Sequence, residues 1–174
     1  MYNVVIDLET LSTKHNPVIL SIGAVKLRGR EIVSKYIATI DIQSCLDVGL
    51  QIDGDTLKWW FKQSKEAREV FENGISSLPA ALEAFAAWLR KDDYYIWGYP
   101  ATSDNIWLES AYDACKLERP WPFWANRCLA TLSKEYPEIV CKEPEIAHNA
   151  LHDAEVQAQY LLDLLANSQN DYGI

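Results

Sequence analysis

Cysteine is sparse. Cys45, Cys115, Cys128 and Cys141 lie at wide, irregular intervals in 174 residues, and no CxxC pair occurs. That spacing excludes a disulfide scaffold and a zinc ribbon, and reads as reduced, buried thiols in a cytosolic protein. Basic residues are scarce too, with 16 Lys plus Arg against 25 Asp plus Glu and a formal charge of −9. Non-specific affinity for a polyanion comes chiefly from lysines and arginines displacing counterions, so a nucleic-acid function would need positive charge from another source. Divalent ions held by carboxylates supply it locally. Long apolar runs are missing: the stretches 17–25 and 78–89 fall well below the ~18 uninterrupted apolar residues of a membrane span. The N-terminus, MYNVVIDLET, has no basic region and carries an acid at position 7. Neither a signal peptide nor a membrane partner is expected, and a cytoplasmic location is. No repeat, linker or low-complexity segment appears, so residues 1–174 read as one domain whose 49% hydrophobic content suffices for a core.

Three β-branched runs open the chain, Tyr2–Asp7, Val18–Leu27 and Ile32–Ile40, the last two separated by the turn Arg28-Gly29-Arg30. They predict three antiparallel strands. A helical segment then follows from a cap at Asp55 to Gly74, in one or two pieces, with Leu57, Trp60, Phe61 and Phe71 at roughly helical spacing. Pro79 starts a helix through Lys91, Tyr94–Trp97 forms a short strand ending at Gly98, and Ser103-Asp104 caps the next helix. After the aromatic loop RPWPFW, a helix is expected around Arg127–Glu135. A last one should run from about His148 to Leu165, with the tail from Asn167 fraying. The order implies an α/β fold with a mixed central sheet flanked by helices.

Three acidic elements carry the chemistry. Asp7 and Glu9 stand two apart at the end of the first strand, and period-two alternation sends both to one side. Crowded carboxylates repel unless a cation or proton intervenes, which suits a hard metal ion. An isolated DxE equally fits a turn-capping Asp beside a solvated Glu. Asp104 sits at a helix start, where capping competes with metal binding. His148, His152 and Asp153 open the final helix. A shared face for His148 and His152 would permit zinc, whereas pairing His148 with Asp153 needs the histidine on or before the first turn.

Taken together, DLET, GYPATSDNIWL and HNALHDA resemble the three motifs of the DEDDh 3′-to-5′ exonucleases, the DnaQ-like branch of the ribonuclease-H-like superfamily. Within that branch, HNPVILSIGAV, DTLKWWFKQSKEAR and ATSDNIWLESAY are most similar to phage exodeoxyribonuclease A and the bacterial Rv2179c-like exoribonucleases. The resemblance spans nearly the whole chain. It implies a ribonuclease-H-like sheet whose first three strands are antiparallel. It also implies Asp7, Glu9, Asp104 and Asp153 as ligands of two Mg2+ or Mn2+ ions, with His148 as general base. His152 falls at a variable position and takes no role.

The substrate so implied is a single-stranded RNA or DNA 3′ end, RNA slightly favoured. Leu8, Thr10 and Leu11 follow the first acid and become terminal-nucleotide contacts by resemblance. Trp59 or Trp60 could face the groove and stack on a base, and Trp60 is the one taken as the contact. Related short exonucleases are often homodimers, which makes a homodimer a further expectation. A non-catalytic nucleic-acid-binding module that kept the fold is the alternative; a zinc hydrolase on His148 and His152 is a more remote one.

Overall fold

The computed structural model describes residues 1–90, 93–144 and 147–171, with side chains through 168. Its frame is a five-stranded sheet built from β1 (Tyr2–Thr10), β2 (Ile19–Arg28), β3 (Glu31–Thr39), β4 (Tyr94–Gly98) and β5 (Asn126–Cys128). Their order across the sheet is β3-β2-β1-β4-β5. The first three strands pair antiparallel, with Gly29 turning β2 into β3 at φ 60°. β4 adds to β1 in parallel, and β5 to β4. The ribonuclease-H-like mixed sheet expected from the motifs is therefore the observed one.

Alternation along β1 divides the molecule in two. Val4, Ile6 and Leu8 point to one face and enter the larger core. Packed over that face are α1 (Ile42–Asp47), α4 (Leu78–Leu89) and α5 (Asp104–Ala114), which contribute among others Cys45, Leu82, Phe85 and Leu108. Val5 points to the other face, where α7 (Ala150–Asp171) crosses β1, β2 and β3. Asp7 and Glu9 continue the Val5 row by the same period, so both acids lie under α7.

The segment after β3 differs from the expected helix at Asp55. Asp53 is the cap, accepting from the amides of Asp55 and Thr56, and the pieces are α2 (Gly54–Trp60), α3 (Lys65–Arg68) and a single 3₁₀ turn. α4 starts at Leu78 with Pro79 in its first turn; position 91, the expected end, lies outside the described residues. Lys26, buried on β2, donates from Nζ to the carbonyls of Trp88 and Leu89 at 3.1 and 2.9 Å, satisfying acceptors that a helix end leaves open. Between Arg127 and Glu135, the expected helix is instead β5 running into the short α6 (Leu129–Leu132) and a 3₁₀ turn. α7 continues to Asp171 rather than fraying at Asn167; the Asn167 and Ser168 side chains bond back to the Asp163 and Leu165 carbonyls. Among the described residues no helix is long and apolar enough to cross a membrane. All four cysteines are free, but only Cys45 is fully buried.

Candidate active site

β1 does not stop before the acids. It runs through Thr10, so Asp7 and Glu9 are strand residues, with Asp7 opposite Gly23 and Glu9 opposite Ser21 on β2. The third acid arrives from α7. Asn149 caps that helix through Oδ1, which accepts from the His152 amide, while its own amide donates to Asp153 Oδ2 at 3.0 Å. The two bonds form a reciprocal cap that fixes Asp153 one turn into the helix. Gly23 admits the helix start, since a Cβ there would lie 2.1 Å from the Ala150 carbonyl carbon and oxygen.

These placements bring ligand atoms of Asp7, Glu9 and Asp153 within 4.8 Å of one another. Two full charges at that separation repel by about 3.5 kcal/mol at an effective dielectric of about 20. One hydrogen bond opposes this repulsion at Asp7: Gln157, one turn beyond Asp153, donates from Nε2 to Asp7 Oδ1 at 2.7 Å. A hydrogen bond to a charged group contributes only about 1.5–3 kcal/mol, so the cluster needs protons or a cation. The carboxyl groups respond accordingly. Burial, then the neighbouring acids, pushes Asp7 well above the ordinary carboxylate range and Glu9 up to about 8. Asp153 is raised as well, chiefly by burial, against the Asn149 amide and the nearby His148.

Asp104 stands beside this group rather than inside it. It is 5% exposed, and it does not cap α5; Oδ1 accepts from the Leu8 amide at 3.3 Å and Oδ2 from the Tyr99 amide at 3.1 Å. It thereby ties α5 to β1 between the two strand acids. Burial outweighs those two bonds and pushes its carboxyl up to about 6.

His148 lies before α7 with φ 64°, in the left-handed region. Its ring packs edge-on against Trp59 at 4.7 Å between centroids, and more distantly against Trp60 at 6.0 Å. Because it precedes the helix, it shares no helical face with His152. The zinc site imagined on that face has no geometry to rest on.

The residues expected to touch substrate differ in exposure. Leu8 and Leu11 belong to the larger core, and Thr10 is 8% exposed. Trp60 is 1% exposed and its indole N–H donates to the Thr10 carbonyl at 2.8 Å, which leaves no ring face for a base. The open ring is Trp59, 42% exposed. Of the basic side chains near this end, Lys14 is held by Asp53 at 2.6 Å. Gln157 escaped the sequence reading; its signal is an amide at a stripe position of α7 between Ala154 and Leu161.

An acid cluster where a mixed sheet meets a capped helix, with a histidine just before that helix, matches the fold and the acidic grouping expected from the three motifs. The 3′-5′ exoribonuclease Rv2179c-like domain matches residues 2–165, and the chain belongs to that family. It is a 3′-to-5′ exonuclease, which sets aside a purely binding module. Solved structures share the fold at low identity. The nuclease domain of 3′hExo, a DEDDh family member bound to rAMP, is 12% identical with a TM-score of 0.64, over 95% of this chain and 92% of that one. Pop2p of S. pombe in its Mg2+- and Mn2+-bound form is 12% identical with a TM-score of 0.63, over 94% of this chain and 82% of that one. Exonuclease I of E. coli in complex with a dT13 oligonucleotide is 14% identical with a TM-score of 0.68 over 98% of this chain, which spans 42% of that enzyme. No curated protein matches the chain.

Proposed function

We infer that the protein removes nucleotides from the 3′ end of single-stranded RNA, and more slowly of DNA. In this reading Asp7, Glu9, Asp104 and Asp153 hold two divalent ions, and His148 is the general base. The carboxylate convergence carries the reading: three acids within 4.8 Å, their ionised forms disfavoured, form an all-oxygen donor set suited to Mg2+ or Mn2+. Asp104 joins the set because each of its oxygens keeps a lone pair beyond its backbone bond.

Asp7, Glu9, Asp104 and Asp153 would hold the two ions, which when bound would stabilise charge on the attacking water oxygen and on the departing 3′-oxygen of the phosphodiester. The chain's own residues do the rest. His148 takes a proton from the attacking water as its oxygen bonds to phosphorus and the 3′-oxygen of the preceding nucleotide leaves, and the exposed face of Trp59 beside it offers the terminal base a stacking surface. Leu8, Thr10 and Leu11, whose side chains are buried, contribute to the terminal nucleotide through their backbone. RNA is placed ahead of DNA on the family's exoribonuclease description. The homodimer expected from related enzymes has no support in the geometry and forms no part of the proposal.

His148→Ala tests the assignment. It should lower turnover about 10²–10⁴-fold, the usual contribution of a positioned proton acceptor, while Mn2+ binding stays near that of the wild type. Unchanged turnover in this variant would remove His148 from the mechanism.

A further inference from the structure

Gln157 is an amide where the helix pattern calls for an apolar residue. It stands on α7 one turn after Asp153, is 8% exposed, and lies among Ala154, Ala158 and Leu161, which pack on the sheet. Its Nε2 donates to Asp7 Oδ1 at 2.7 Å, across 150 positions of sequence. Its Oε1 is buried with no hydrogen-bond partner among the described residues. A buried acceptor without a donor costs about 1–3 kcal/mol, and an apolar side chain of the same size would avoid that cost. Packing alone therefore does not explain a glutamine here.

We propose that Gln157 is a positioning residue for the divalent-ion site, holding the Asp7 carboxylate in its ligating orientation through Nε2 while Oε1 accepts from a water of the hydrated site. The inference rests on the ion-binding reading of the carboxylate cluster. The hydrogen bond occupies one lone pair of Asp7 Oδ1 and restrains rotation of the carboxylate, leaving Oδ2 and the other Oδ1 lone pair to ligate an ion in the cluster with Glu9 and Asp153. Asp153 and Gln157 are four apart on one helix, so the element that delivers one acid also orients another. Water fits the free Oε1, because Mg2+ dehydrates reluctantly and brings ordered waters into carboxylate sites. A partner that orients a ligand in this way typically changes metal affinity or activity by about 10–100-fold when lost.

The test compares wild type with Gln157→Met, which keeps length and packing without a donor, and Gln157→Asn, which keeps the amide but falls short of Asp7. Mn2+ binding without substrate is read from the free-Mn2+ resonance, beside the melting temperature in EDTA and kcat and KM on a single-stranded oligonucleotide. The proposal expects Mn2+ affinity to fall about 10–100-fold in both variants, with an undiminished melting temperature in EDTA for Gln157→Met. It also expects lower kcat at fixed Mn2+, unchanged KM, and partial recovery as Mn2+ is raised. Wild-type Mn2+ affinity in a folded variant would overturn the role of Gln157 and leave the ion site standing. Absence of Mn2+ binding by the wild type would instead overturn the ion site, and the Gln157 role with it.

Discussion

At the scale of single residues, Asp104 and Asp153 carry the same charge but do different work. Asp104 accepts from two backbone amides, so Asp104→Ala leaves the Leu8 and Tyr99 N–H groups without an acceptor. Melts in EDTA should show a loss of about 1–3 kcal/mol together with lost turnover. Asp153→Asn keeps an oxygen for the Asn149 amide and removes one charge from the cluster. In EDTA at pH 8 it should be at least as stable as wild type, yet bind Mn2+ more weakly; a clear destabilisation would argue against crowded charge at this site. The acids were legible in the sequence because their spacing and order carry chemistry that few other arrangements need. Gln157 was not, since an amide at a stripe position marks an exception to the apolar pattern but names no partner until Asp7 is seen beside it. The tryptophans divide for a physical reason already in the pattern: Leu57 and Trp60 are three apart on one apolar face, which turns Trp59 outward.

At the scale of elements, the site depends on how closely α7 approaches β2. Gly23 leaves the gap, directly opposite Asp7. Gly23→Ala should push the start of α7 off the sheet and carry Asp153, Gln157 and His148 with it. A misplacement of about 1 Å costs a site about 10²-fold, so turnover should drop by that order and the melting temperature should fall. Wild-type kinetics in that variant would show that the helix start is free to move. Strands with a regular apolar pattern were read closely from sequence. β5 was not, because Asn126-Arg127-Cys128 is too short and polar for a period of two to emerge, and its strand character comes from pairing with β4. The position of His148 ahead of its helix, at positive φ, follows from the Asn149 cap, and a cap is visible only once the helix boundary is known.

For the whole molecule, raised carboxyl groups link stability to pH. Glu9 is pushed from the ordinary 4.5 up to about 8 and Asp104 from 3.8 up to about 6, while Asp7 moves the same way. Groups whose folded pKa lies above the unfolded value favour the fold fully below the unfolded value. That contribution is lost as pH rises through the folded one. Chelator-treated protein should therefore lose stability between about pH 4 and 8, and Mg2+ or Mn2+ should raise the melting temperature more at pH 8 than at pH 5. A metal-induced shift of equal size at both pH values would contradict the link between these acids and the ions. The net charge of −9 fits the same picture, in which bound cations rather than a basic surface bring a polyanion to the crevice.

The most direct measurement follows a 5′-labelled single-stranded RNA and the DNA of the same sequence on a denaturing gel, with Mg2+, Mn2+, Zn2+ or EDTA, beside His148→Ala. A one-nucleotide ladder shortening from the 3′ end should form with Mg2+ or Mn2+, faster on RNA, and should be absent in EDTA and nearly absent in the variant. Intact substrate in every lane with folded protein, or degradation that continues in EDTA, would contradict metal-dependent 3′-to-5′ hydrolysis at the Asp7, Glu9 and Asp153 cluster.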